Sequence, residues 1–223
     1  MKVKIRVIVT GTTGMVGEGV LHECLMHPDV EHVLVINRKP CGVTHPKLHE
    51  IIHDNFFDFS PIREFLVNYN ACFFCLGVSS VGMKEDKYYH LTYELTMHVA
   101  QTLSEQNPGM VFTYVSGNGT DSTEKGKLMW ARVKGKTEND LMKLPFKKAY
   151  MFRPAVIEPT KGLKNTLKLY TYLGWMLPII RFLSPRYVCS LKELGVAMIH
   201  TVTTGSEKQI LEVKDIVELA NIN

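Results

Sequence analysis

The stretch VTGTTGMVGEG, residues 9–19, decides the fold. It is entered from KIRVIVTG (4–11), a β-branched apolar run of the kind that forms a buried strand. It leaves through MVGEGVLHECLMH (15–27), where Val16, Val20, Leu21 and Cys24 fall on one helical stripe that Pro28 brings to a stop. Between strand and helix stand Gly11, Gly14 and Gly17. The first glycine permits a tight turn, the second lets backbone approach a pyrophosphate, and the third lets helix pack closely on strand. Thr13, Met15, Val16 and Gly17 then supply the loop and the first helical turn, whose unpaired amides face an anion. The spacing is G-x-x-G-x-x-G rather than G-x-G-x-x-G, and the lysine and hydroxyl pair that closes a P-loop is missing.

Outward from this loop, strand-like and helix-like segments alternate. EHVLVINR (31–38) and LHEIIHD (48–54) read as strands, and SPIREFLVN (60–68) as a short helix with serine at its cap. ACFFCLGVSS (71–80) reads as a strand, residues 87–106 as a long helix, MVFTYVSGNG (110–119) as a strand, 128–143 as a helix and 148–159 as a strand. Such β-α-β alternation predicts an α/β fold, a Rossmann-like, doubly wound parallel sheet with helices on both faces. The 223 residues are expected to form one dinucleotide-binding domain, with 160–205 as a short C-terminal pocket-forming or lid segment. SLKELGVAMIHTVTTG (190–205) predicts another helix, and QILEVKDIVELA (209–220) a strand and a final helix.

Composition narrows the function. Apolar residues make up 45% and charged residues 22%, and a net charge of +4 without a concentrated basic stripe argues against nucleic acid. Cys72 and Cys75 sit three apart in a strand, hence on opposite faces, so neither a shared metal nor a disulfide is expected. The histidines show no H-x-x-x-H on a clear helix, since His49 and His53 fall on a strand, and no metal site is expected. Five cysteines in mostly apolar surroundings, with no signal-like leader, lead us to expect a cytoplasmic protein.

The ends of the next strands specify the ligand. Where an NAD site offers an acidic residue to the ribose, this chain reads Asn37, Arg38, Lys39. An arginine fork suits a 2′-phosphate, so NADP(H) is expected over NAD(H). Asp54 is placed to accept a hydrogen bond from an adenine amino group, and Leu76, Gly77 and Val78 lie where the fourth strand would meet the ribose.

Taken together, TGTTGMVG, CLGVSS (75–80), VSGNG (115–119), VKGKTE (133–138) and RPAVI (153–157) resemble the short-chain dehydrogenase/reductase superfamily. The resemblance is to its atypical and extended NAD(P)-binding branches, including epimerase/dehydratase-like and Tat-interacting-protein-like oxidoreductases. It implies a serine after the fifth strand and a Y-x-x-x-K pair as the catalytic set. Ser116 matches the serine and would polarise a carbonyl; Lys134 matches the lysine and would hold the nicotinamide ribose. Trp130 stands where the tyrosine belongs, and an indole N–H does not ionise usefully. Tyr114 shares a strand face with Ser116 and is the candidate substitute, with Tyr88, Tyr89 and Tyr93 on the preceding helix. Pro154, after Arg153, matches the segment beside the nicotinamide.

Two readings follow. One is an NADP(H)-binding oxidoreductase or epimerase acting on a small carbonyl or sugar-linked substrate; the other is a non-catalytic NADP(H)-binding regulator or redox sensor. The apolar stretch 166–185, with Pro178 inside it, is expected as a lid or homodimer surface, with weak membrane-surface contact as the alternative.

Overall fold

The computed structural model describes residues 4–166, 174–176 and 181–222. Seven strands form one sheet: β1 (Ile5–Thr10), β2 (Val30–Asn37), β3 (Leu48–Ile52), β4 (Ala71–Phe74), β5 (Val111–Val115), β6 (Lys148–Arg153) and β9 (Ile210–Glu212). Their order is β3-β2-β1-β4-β5-β6-β9, and every pairing is parallel. The pleat sends alternate side chains to opposite layers. Val7 and Val9 enter one layer with Val33, Val35 and Phe73; Ile8 enters the other with Leu34, Cys72 and Phe74. Near-continuous apolar runs are what strands covered on both faces need.

The first layer is closed by α1 (Met15–Met26), α5 (Leu191–Thr203) and α6 (Val213–Ala220). The second is closed by α3 (Leu95–Gln106), which follows α2 (Glu85–Tyr89) through a π-helical turn at His90–Glu94, and by the end of α4 (Met129–Leu141). A capping box starts α5: Glu193 N–H donates to Ser190 Oγ at 3.1 Å, and Ser190 N–H returns a bond to the Glu193 carboxylate at 2.7 Å. The strand order reverses between β1 and β4, so the crevice beyond their C-terminal ends is where a fold of this kind takes a ligand.

Three segments depart from expectation. Residues 148–159 are not one strand. Pro154, which lacks a donor, breaks the ladder, and β7 (Val156–Glu158) leaves to pair with β8 (Val188–Ser190) in a separate parallel pair. The short helix after β3 is a 3-10 helix over Ser60–Leu66. The strand expected over 71–80 ends at Phe74, and the rest runs as loop above the sheet. Most of 166–185, Pro178 included, lies outside the described residues. No described helix is long and apolar enough to cross a membrane.

Candidate active site

The glycine loop divides its work among its members. Gly11 has φ +73°, and a Cβ there would lie 2.7 Å from the Cys75 carbonyl carbon. A Cβ on Gly17 would lie 2.2 Å from Gly11 O. Both glycines are therefore demanded by packing of the loop on β4 and α1. A Cβ on Gly14 would meet only Gly11 O, at 3.5 Å, and one on Gly77 would meet nothing within 4 Å. These two border open space. Gly14 N–H closes the turn onto Gly11 O at 3.0 Å, and α1 then begins with no side-chain cap on its first amides. An anion-binding helix start has this form.

A cavity of about 550 Å³ opens over the loop, lined by Gly11, Thr13, Gly14, Asn37, Arg38, Lys39, Asp54, Cys75, Leu76 and Gly77. A smaller one of about 170 Å³ shares Arg38, Asp54 and Leu76 with it and adds Val78 and Phe57. The backbone of Met15 and Val16 opens α1, but their side chains pack on the core, and Gly17 serves packing rather than the cavity wall. Asn37 lines the cavity yet is 3% exposed. Its amide donates to Thr12 Oγ1 at 2.6 Å and to Glu50 Oε1 at 3.0 Å, so it shapes the turn. Glu50 also accepts the Cys41 N–H at 2.8 Å. The acid beside the β2 turn is thus occupied in holding that turn, while Arg38 and Lys39 are exposed and make no ion pair among the described residues.

At the ends of β5 and β6 the side chains form a buried network. Glu138 on α4 is fully buried. Its carboxylate accepts from Ser116 Oγ, from Arg153 Nε at 3.0 Å and from Arg153 Nη2. Arg153 reaches on to Glu212 Oε1 at 3.3 Å and Ser122 Oγ at 2.5 Å, and Asn118 donates to Glu212 at 3.4 Å. Here the expected role of Ser116 needs correction. Its residue is 2% exposed, and its one hydroxyl proton is shared between Glu138 and Phe152 O, so no donor remains to polarise a carbonyl.

Lys134, one turn before Glu138, donates to the Ser116 carbonyl oxygen. Burial draws its pKa down to about 8 against the opposing pull of Glu138. Trp130 lies along Gly119, whose Cβ would meet its ring at 3.3 Å. None of the tyrosines singled out from the sequence takes the vacated role. Tyr114 is 2% exposed in the core, and burial pushes its phenol far up, with Tyr88 and Glu138 adding to the shift. Tyr88 is buried, Tyr89 packs on Tyr93, and Tyr93 donates to Asp140 at 2.9 Å. Pro154 stands away from the cavity, its carbonyl accepting the Asn118 N–H at 2.8 Å.

Sequence reasoning missed Glu138 and the partners of Arg153. It also missed Cys75 in the cavity wall, and Glu18, which accepts the Lys164 and Asn165 amides at 2.8 and 2.7 Å. Glu138 carried one faint signal, its i,i+4 spacing from Lys134. No described group of three or more His, Cys, Asp or Glu side chains is placed to hold a metal.

An all-parallel sheet of this order, with a glycine-walled crevice where the strand order reverses, defines the dinucleotide-binding class of α/β proteins. The family model that matches residues 7–127 narrows the class: the chain belongs to the NAD dependent epimerase/dehydratase family, a group of nicotinamide-dinucleotide-binding oxidoreductases and epimerases. Solved structures with the same fold include the Bordetella bronchiseptica enzyme WbmF in complex with NAD+ (13% identity, TM-score 0.66, 98% of this chain and 77% of that one). Another is the NADPH-bound carbonyl reductase from chicken fatty liver (14% identity, TM-score 0.63, 96% and 98%). Among curated relatives, "Protein FMP52-1, mitochondrial" of Scheffersomyces stipitis is 24% identical over 167 residues, 72% of this chain and 73% of its own. That name, shared with two Aspergillus relatives, overturns the cytoplasmic expectation. Cysteine burial reports on the core and carries no address.

Proposed function

We propose that the chain binds NADP(H) across the glycine-loop cavity and acts as an oxidoreductase on a small carbonyl or sugar-linked substrate. The observation that carries this is the cavity wall itself: bare glycines at 14 and 77, an uncapped helix start, and at the β2 turn two exposed cations, Arg38 and Lys39, with no ion pair among the described residues. Arg38 takes a 2′-phosphate, Asp54 the adenine amino group, and Lys134 the nicotinamide ribose. The nicotinamide supplies hydride chemistry when bound; the chain's own part is to orient it and deliver a proton. The names of the fungal relatives support a mitochondrial site of action.

Calorimetry with NADPH and NADH tests the reading. A charge-assisted arginine fork contributes about 1.5–3 kcal/mol, so NADPH should bind roughly 10- to 150-fold tighter, and Arg38→Asp should remove that margin. Absence of heat with either coenzyme on folded protein would refute it.

A second reading, a non-catalytic NADP(H) sensor, is favoured by Trp130 at the acid's position together with the committed Ser116 proton. Trp130→Tyr separates the two. Activity that arises only in the variant marks the natural chain as a binder; native activity that falls marks the indole as part of a working site.

A further inference from the structure

The C-terminal part of the chain reaches back to the glycine loop through one buried acid. Glu18 stands in the first turn of α1, where an acid ordinarily gains from the bare amides of its own helix start. Its two carboxylate oxygens instead accept the amides of Lys164 and Asn165, at 2.8 and 2.7 Å, and the residue is 9% exposed. The first amides of α1 keep no side-chain cap and stay open to a ligand. Leu163 packs on the first-layer core next to this clasp. Residues 163–165 are therefore held by their backbone and by one apolar side chain, which leaves the Lys164 side chain free to point elsewhere.

That side chain goes to the turn after β2. Lys164 is exposed, and a Cβ on Gly42 would meet its Nζ at 3.8 Å and nothing else within 4 Å. The same turn carries Arg38 and Lys39, both exposed. Its acid, Glu50, is engaged in holding the turn through the Asn37 amide and the Cys41 N–H. Among the described residues none of Arg38, Lys39 and Lys164 makes an ion pair. Three like charges around one turn repel one another, and a bound anion relieves them. The anion a fold of this kind brings to the end of its second strand is a ribose 2′-phosphate. Such a phosphate carries about two negative charges near neutrality and offers three acceptor oxygens. An arginine fork grips two of them; a lysine, a single point charge on a long stem, suits the third.

We propose that Lys164 is a second recognition residue for the 2′-phosphate of NADP(H), and that Glu18 is the positioning residue that presents it. The proposal rests on the NADP(H) reading above and adds to it a contact from a distant part of the chain, 146 positions beyond Glu18. Preference for NADPH over NADH is then set jointly by the β2 turn and by the segment that follows β7. NADH lacks the phosphate and is bound without Lys164.

The test is calorimetry on the whole chain with NADPH, NADH and adenosine 2′,5′-bisphosphate, which carries the 2′-phosphate and no nicotinamide. If the wild type binds neither coenzyme, or both equally, the NADP(H) reading falls and takes this one with it. With the preference established, Lys164→Met keeps an aliphatic stem over Gly42 and loses the charge. It should weaken NADPH and the bisphosphate about fivefold and leave NADH within about twofold. Lys164→Arg should hold the wild-type preference. Glu18→Gln puts an amide donor where a second N–H must be accepted, so it opens half of the clasp and should weaken NADPH about threefold. It also removes a negative charge from the helix start, so NADH should bind no worse, whereas a merely structural loss would lower both coenzymes alike. Lys164→Met alters an exposed side chain and decides the matter even where Glu18→Gln does not fold. Wild-type preference in Lys164→Met overturns the proposal and leaves the NADP(H) reading standing. So does equal weakening of both coenzymes by Lys164→Met.

Discussion

Arg153→Met should be among the most damaging single changes in the protein, because it strands a fully buried carboxylate. Glu138 has 0% exposure, and two of its three hydrogen-bond donors belong to Arg153. Removing one partner of a buried ion pair costs about 3–5 kcal/mol. In a chain of this length each kcal/mol moves the melting point by about 2–4 °C, so a loss of about 10 °C is expected. Glu138→Gln should cost about half as much, since Arg153 keeps Glu212 and Ser122 as partners. The double variant Glu138→Leu/Arg153→Met should recover most of the stability, because an apolar pair of similar volume has no charge to leave unsolvated. Urea unfolding followed by circular dichroism measures all three. If Arg153→Met costs less than about 1 kcal/mol, or Glu138→Gln costs more than Arg153→Met, the network does not hold the strand ends together as described.

Two further outcomes follow from the same geometry. Gly17→Ala should lower stability by roughly 3 kcal/mol or more, since its Cβ would press on backbone; Gly14→Ala should stay within about 0.5 kcal/mol and instead weaken NADPH binding. Equal stabilities for the pair in a melting experiment would contradict the division of labour in the loop. Lys134 has a folded-state pKa near 8, below its free value of 10.5, so the unfolded chain binds more protons between those limits and stability rises with pH across them. Lys134→Met should therefore be more stable than wild type at pH 7, with the difference fading toward pH 10.5; a constant difference across that range would show that burial is not what shifts the lysine.

Most of the frame could be read from residue order. The period-two and period-3.6 patterns placed the strands and long helices, and the glycine trio between Thr10 and Glu18 fixed where the chain turns. What could not be read depended on distant partners. Glu138 sits on a helix among Lys134, Lys136 and Asn139, the composition of a solvated face; only the arrival of Arg153 from β6 makes its burial tolerable. Ser116 was rightly placed at the end of β5, but the direction of its proton depends on that same carboxylate. The split at Pro154 was signalled by the proline itself, yet the pairing of Val156–Glu158 with Val188–Ser190 joins segments 32 residues apart and leaves no local trace.

Every pairing in the main sheet is parallel, and this shapes how the molecule can assemble. No hairpin occurs in it among the described residues, so each ladder must wait for a crossover to close. The last ladder sets Arg153 beside Glu212, 59 positions further along the chain. A nascent chain halted before that point would present β6 as a bare edge with one of the four bonds of its guanidinium unmade, a species well suited to capture by a chaperone and poorly suited to survive alone.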